Sequence, residues 1–186
     1  MKNIIMAFVL LISSASFANS TSKNVVSYRD AKIEDVPQIY AMIKELAQFE
    51  KKDVSKLPLT EEKLKNFGFS NTPYFRVIIA ENEQHQLLGY ALYFFTFRAS
   101  EGAPILYIED LYVREHYRNQ GIGTKLMATL AQKTIDIGCA YMEWNVFNWN
   151  EQAIGFYKKI GSELRKDLFP VRLKADHLKT LALKSD

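Results

Sequence analysis

The chain has 186 residues, 48% of them hydrophobic, with 24 basic and 21 acidic side chains for a formal charge of +3. That is enough chain for one domain with a substantial core, and it excludes a disordered protein. No block of Lys or Arg marks a nucleic-acid arm, and the single cysteine, Cys139, excludes an intrachain disulfide and a cysteine-rich site, so neither nucleic acid nor metal is expected.

At the N-terminus Lys2 precedes the apolar run 4–12, and Ser16-Phe17-Ala18 places small residues where a signal peptidase reads. This is a secretory-signal pattern, too short to be a stable membrane anchor. It predicts a signal peptide over residues 1–18, a short linker over 19–25 and a single domain over 26–186, with export of the mature chain. The alternative is an N-terminal extension on a cytoplasmic protein.

Residues 25–28 read as a first strand. Over 33–50 the apolar positions Val36, Ile39, Tyr40, Ile43, Leu46 and Ala47 fall on one helical face, with Pro37 in the first turn where its missing N–H costs nothing. A second short helix is predicted over 60–67, capped by Thr60 and closed at Gly68. Residues 75–80 and 87–97 are rich in aromatic and β-branched side chains and flank a polar turn, which predicts a hairpin; 105–113 is a third strand. Apolar residues at nearly every position imply that both sheet faces are covered.

The segment Arg118-Asn119-Gln120-Gly121-Ile122-Gly123-Thr124 follows that strand and opens a helix over 124–137, whose face is Leu126, Met127, Leu130, Ala131 and Ile135. Such a loop aims backbone N–H groups and the positive end of a helix dipole at one spot, a candidate anion site. Its spelling is neither the Rossmann GxGxxG nor the Walker GxxxxGK pattern. A strand over 141–147 follows. Asn150 then caps a helix with Ala153, Phe156, Tyr157 and Ile160 on one face, ending at Gly161. Short strands over 162–166 and 171–173 and a terminal helix from Asp176 complete an α/β chain. The expected fold is a mixed β-sheet flanked by helices on both faces.

Several separate stretches, in order, resemble one family: Ile43-Lys44-Glu45-Leu46-Ala47, Tyr107-Ile108-Glu109-Asp110-Leu111-Tyr112-Val113, residues 117–123, Trp149-Asn150-Glu151 and Phe156-Tyr157-Lys158. Over about residues 26–172 the chain resembles the GNAT superfamily of N-acetyltransferases, and within it the diamine (spermidine/spermine) branch. The resemblance implies acetyl-CoA as co-substrate, with Arg118 to Thr124 as the pyrophosphate loop. It implies that Leu111, Tyr112 and Val113 run beside the pantetheine arm like an added strand, and that Asn150 also touches the coenzyme.

Acetyl transfer to an amine requires a base, because an alkylammonium is only about one part in a thousand neutral near pH 7.4, a cost of roughly 4 kcal/mol before attack on a thioester. Glu109 and Asp110 are adjacent on one strand, so their side chains point to opposite faces and only one can serve. The resemblance selects Glu109, acting directly or through water, and Tyr157 as the acid near the coenzyme sulfur. It places Phe49 and Glu50 on one wall of the acceptor groove and Glu143, Trp144 and Asn145 near another.

Departures fall on the acceptor side. Phe169-Pro170-Val171-Arg172 stands where the polyamine enzymes carry acids and a Trp, and Asn148 replaces an acid. The expected function is therefore N-acetylation of a small-molecule primary amine (a polyamine, diamine or amino-acid-like acceptor) by direct attack in a ternary complex, since Cys139 has no basic partner in sequence. A homodimer is implied by the resemblance alone. The alternative is a non-catalytic acyl-CoA-binding or exported interaction protein on the same fold.

Overall fold

The apolar runs between residues 76 and 113 form the three long strands of a five-stranded sheet. A computed structural model describes residues 25–184, so the signal-peptide reading of residues 1–18 lies outside the described part. In chain order the elements are β1 (Val26–Asp30), α1 (Val36–Phe49), α2 (Glu61–Gly68), β2 (Arg76–Asn82), β3 (Leu87–Arg98), β4 (Ala103–Val113), α3 (Ile122–Ile137), β5 (Met142–Trp144), α4 (Glu151–Lys159) and α5 (Ala175–Ala182). The strands lie in sequence order. β1 to β4 are antiparallel and β5 is parallel to β4, which gives the mixed sheet that was expected.

Helices cover both faces. On one, Ile122, Leu126, Met127 and Leu130 of α3 pack on Ile78, Ala80, Ala91, Tyr93, Leu106 and Ile108. On the other, Ile39 and Met42 of α1 pack on Val77, Ile79, Leu87, Tyr90, Leu92 and Tyr112. Adjacent strand residues such as Ile78 and Ile79 thus serve opposite layers, which is why the strands are apolar throughout. Each fully buried Leu, Ile or Met here contributes roughly 1.5–3 kcal/mol. Arg29 on β1 welds α1 to the sheet, with Nη1 2.7 Å from Asp35 Oδ2 before α1 and Nε 3.0 Å from Glu81 Oε2 on β2.

Some expectations are corrected. α3 begins at Ile122, so Ile122, Gly123 and Thr124 form its first turn and not the end of a loop. Its buried stripe runs through Thr134, 6% exposed, while Ile135 is 71% exposed. Thr134 tolerates burial because its hydroxyl donates to the Leu130 carbonyl at 2.8 Å, satisfying the polar group within the helix. β5 has three residues rather than seven, and 162–166 and 171–173 are not strands. A strand needs a neighbour for its backbone groups, and among the described residues no strand pairs with the outer edge of β5.

One irregularity positions the site. Leu92 on β3 pairs with Asp110 and Tyr93 with Ile108, so Glu109 is an extra residue in β4, a β-bulge. Before it, Leu106 and Ile108 belong to the α3 layer; after it, Tyr112 belongs to the α1 layer and Leu111 and Val113 pack toward α3. The bulge reverses which parity of residue faces which helix.

Candidate active site

β5 pairs with β4 only across Leu106, Ile108 and the residue between them. Beyond that point the strands part, and the bulge turns the β4 backbone. Leu106 N–H donates to Tyr141 on the β5 side, whereas Arg114 N–H donates to Leu88 in β3. Even-numbered residues after the bulge therefore bond into the sheet. By alternation, Leu111 and Val113 direct their N–H and C=O into the opening, where an extended ligand can add as a strand.

The far end of the opening is the turn into α3. Asn119 and Gly121 both take left-handed backbone, with φ of 61° and 81°. The first helical bond runs from Lys125 N–H to Gly121, so the N–H groups of Ile122, Gly123 and Thr124 have no acceptor within the helix. No side chain caps this end. This is the backbone geometry that suits an anion. A Cβ at Gly123 would stand 3.8 Å from Phe156 and Val113, ordinary contact. Gln120 donates to the His116 carbonyl at 3.1 Å. Arg118 is more constrained than its sequence position suggests: Nε donates to the Val113 carbonyl at 2.9 Å, and the guanidinium lies 5.3 Å from the Phe49 ring and 5.7 Å from the Tyr112 ring. It clamps the loop to the end of β4 and to α1.

Glu109 sits exposed on the bulge. Asp110 lies inward, accepting a hydrogen bond from the buried Tyr90 hydroxyl at 3.0 Å. Burial pushes the Asp110 carboxyl up to about 6, opposed by that hydrogen bond and assisted by the charge of Glu109. The two acids thus occupy different environments, one exposed on the bulge and one drawn in beneath Tyr90, and it is the bulge rather than plain alternation that separates them. Tyr157 on α4 is 8% exposed, its ring 5.1 Å from Trp144 and 5.4 Å from Phe156. Burial pushes its phenol up to about 12, which keeps it protonated at neutral pH. Because Trp144 is the register partner of Ile108, Tyr157 borders the place where β4 and β5 separate, one residue from Glu109.

The other sequence-derived residues divide by face. Asn150 accepts from Ala153 N–H at 3.1 Å, the cap that was expected. Phe49 lies 5.8 Å from Trp149, with Glu50 beside it in an ion pair with Lys52. Trp144 packs toward α3 and Tyr157, away from the face that carries Glu143. Glu143 is ion-paired with Arg98 of β3, and Asn145 donates to the Tyr107 hydroxyl at 2.7 Å. The Tyr107 ring in turn lies tilted against Phe94, with centroids 5.1 Å apart. Arg98, Phe94 and Tyr107 were not singled out from the sequence. Tyr107 lay within a recognised motif, but Arg98 carried no spacing signal, since its partner is 45 residues away.

These features match known proteins. The acetyltransferase (GNAT) family matches residues 39–161. Thialysine N-epsilon-acetyltransferase of Bos taurus is 35% identical over 145 residues, covering 74% of this chain and 84% of that protein. Spermidine/spermine N(1)-acetyltransferase-like protein 1 of Homo sapiens is 35% identical over 148 residues, covering 76% of this chain and 21% of that protein. A solved integron cassette protein from the mobile metagenome of V. cholerae superposes with a TM-score of 0.71 at 28% identity, covering 84% of this chain and 97% of that one. A sheet that splays at a bulge beside an uncapped helix end, together with the family match, places the chain in the class of acyltransferases. This chain belongs to the GNAT acetyltransferase family, and it is an N-acetyltransferase with acetyl-CoA as co-substrate.

Proposed function

We propose that the protein transfers the acetyl group of acetyl-CoA to a small primary amine by direct attack in a ternary complex, with Glu109 as base and Tyr157 as acid. The observation that carries this is the parting of β4 and β5 at the bulge, with an exposed carboxylate on one side and a protonated phenol on the other. The ammonium gives a proton to Glu109, directly or through water. The freed nitrogen then attacks the acetyl carbonyl, the C–S bond breaks, and the departing thiolate takes a hydrogen bond from Tyr157 while the second proton shed by the nitrogen passes, through that hydroxyl or water, to the sulfur. A phenol pushed to about 12 is a weak acid, so its main contribution is to steady charge on the departing sulfur. The relatives named for thialysine and for spermidine/spermine act on amines, which supports an amine acceptor here.

Thiol release from acetyl-CoA across a panel of amines tests the reading. Release that depends on amine and yields the N-acetyl product is expected; tight coenzyme binding with no release for any amine would replace it with an acyl-CoA-binding module. Two further proposals stand on separate features. A second copy of the chain covers the C-terminal segment, where Phe169 and Val171 are 87% and 96% exposed. The pattern in residues 1–18 makes the protein an exported one, and the N-terminal residue of the mature chain in its native cell decides that.

A further inference from the structure

α1 ends beside the opening, and the way it ends sets two lysines there. Lys51 takes left-handed backbone, with φ of 61°. Its N–H donates to the Gln48 carbonyl and that of Lys52 to the Ala47 carbonyl, so the helix stops and the chain turns at this point. Phe49 lies 5.3 Å from the Arg118 guanidinium, which is bonded to the Val113 carbonyl, and 5.8 Å from Trp149, which follows β5. The contact between the two rings therefore crosses the gap between β4 and β5. Asp110 pairs with Leu92 of the α1 layer, next to Glu109, and it feels the charges of Glu109, Glu50 and Lys52. The end of α1 is thus a rim of the opening that holds Glu109.

Two features of this rim suit a cation, a carboxylate and an exposed aromatic face, and the chain fills both itself. Lys52 is ion-paired with Glu50. Lys51 Nζ lies 5.7 Å from the centre of the Trp149 ring, within reach of a cation–π contact, and that ring is stacked on Phe147 at 5.3 Å. Glu109 is left as the exposed carboxylate of the rim with no ion-pair partner among the described residues. One ammonium therefore finds a free acid. A second would have to displace a lysine or stand beside one against like charge.

Resting on the acetyltransferase reading above, we propose that Lys51 and Lys52 are specificity-determining residues: they occupy the cation-binding places of the rim from within the chain, so that the enzyme selects acceptors with a single positive charge against those with a second ammonium. The selection is by exclusion, since neither lysine contacts the amine that reacts at Glu109. Both residues also follow the C-terminal end of α1, where a cation suits the helix dipole. That role alone would show in stability and not in the choice of acceptor.

Cadaverine and 5-amino-1-pentanol have the same chain length and differ in the second ammonium. The wild-type enzyme is expected to favour the amino alcohol by about fivefold or more in kcat/KM, mostly through KM. Lys51→Gln combined with Lys52→Gln is expected to remove that preference by lowering KM for cadaverine, and to lower KM for spermidine by about tenfold. Lys32→Gln makes a like loss of charge at the other end of α1, about 20 Å away and beyond the reach of a screened charge, and should keep the wild-type ratio. A wild-type enzyme that treats the pair within about twofold, a double variant that keeps the wild-type ratio, or a Lys32→Gln enzyme that loses it too overturns the assignment and leaves the acetyltransferase reading intact. If no amine releases thiol, calorimetric titration of the same pair into the coenzyme A complex decides. A preference for the amino alcohol that the double variant loses keeps the two lysines and sinks the transfer chemistry; any other result sinks both.

Discussion

Asp110 and Tyr157 are both polar groups drawn into the protein, and burial acts on them in the same direction with different consequences. The Asp110 carboxyl lies at about 6 in the folded chain against 3.8 for the free side chain. A folded value raised above the unfolded one means that the favourable contribution is complete below the unfolded value and is lost as pH climbs through 6. Above that, the ionised carboxylate opposes folding by at most about 3 kcal/mol. Asp110→Asn, which still accepts from Tyr90, is therefore expected to raise the melting temperature near pH 7 and to change it little near pH 4. Equal shifts at both would show that Asp110 does not titrate in this window. For Tyr157, replacement by Phe keeps the ring packing on Trp144 and Phe156 and removes only the hydroxyl. Turnover is expected to fall about 10- to 100-fold, with coenzyme affinity retained, and unchanged turnover would remove Tyr157 from the chemistry. Glu109→Gln is expected to lower kcat/KM by about 100-fold or more; kcat/KM within a fewfold of wild type would assign the base elsewhere.

Two glycines show what the elements demand. Gly121 needs its left-handed φ of 81° to start α3, and a methyl there would meet nothing within 4 Å. Gly121→Ala should thus cost only the backbone term, about 1 kcal/mol, and weaken coenzyme binding measured by titration. Gly89 is constrained by approach: a Cβ would stand 2.7 Å from the Tyr112 carbonyl oxygen across β3 and β4. Gly89→Ala forces the strands apart beside the opening, so a larger loss, about 2–3 kcal/mol in denaturant unfolding, is expected. Elements with strong periodicity were legible from sequence: α1, α2, the hairpin and α4 with its Asn150 cap all formed near their expected places. Those that depend on a neighbour were not. The outer strands after α4 needed a partner edge, and the stripe of α3 could not be read past Thr134 because a threonine that bonds its own helix looks polar in sequence. The glycine turn into α3 was legible since it is local, whereas the Arg98–Glu143 pair joins strands far apart in the chain. The bulge was hidden for a similar reason: nothing in Ile108-Glu109-Asp110 says how β3 will count against it.

In the whole molecule, apolar surface is unevenly placed. Ile135, Ile137 and Phe97 are exposed on one side, and Leu168, Phe169, Val171 and Leu183 along the C-terminal segment. With so little to lose in an isolated copy, Phe169→Ser combined with Val171→Ser should leave a monomer's stability within about 0.5 kcal/mol. If a second copy covers them, light scattering will show the wild-type dimer giving way to monomer, together with a lower melting temperature. A wild-type chain that is already monomeric ends that proposal.

The extra residue in β4 holds Glu109 outside the register of both core layers. Replacing it with another side chain leaves the packing alone, and deleting it would let Ile108 and Asp110 follow one another in plain alternation opposite Tyr93 and Leu92, with Leu111, Tyr112 and Val113 kept on their present faces. What would go is the kink that turns β4 away from β5. Lineages of this fold can therefore vary this position in kind and in number without repacking the core, and selection on it acts through the opening rather than through stability.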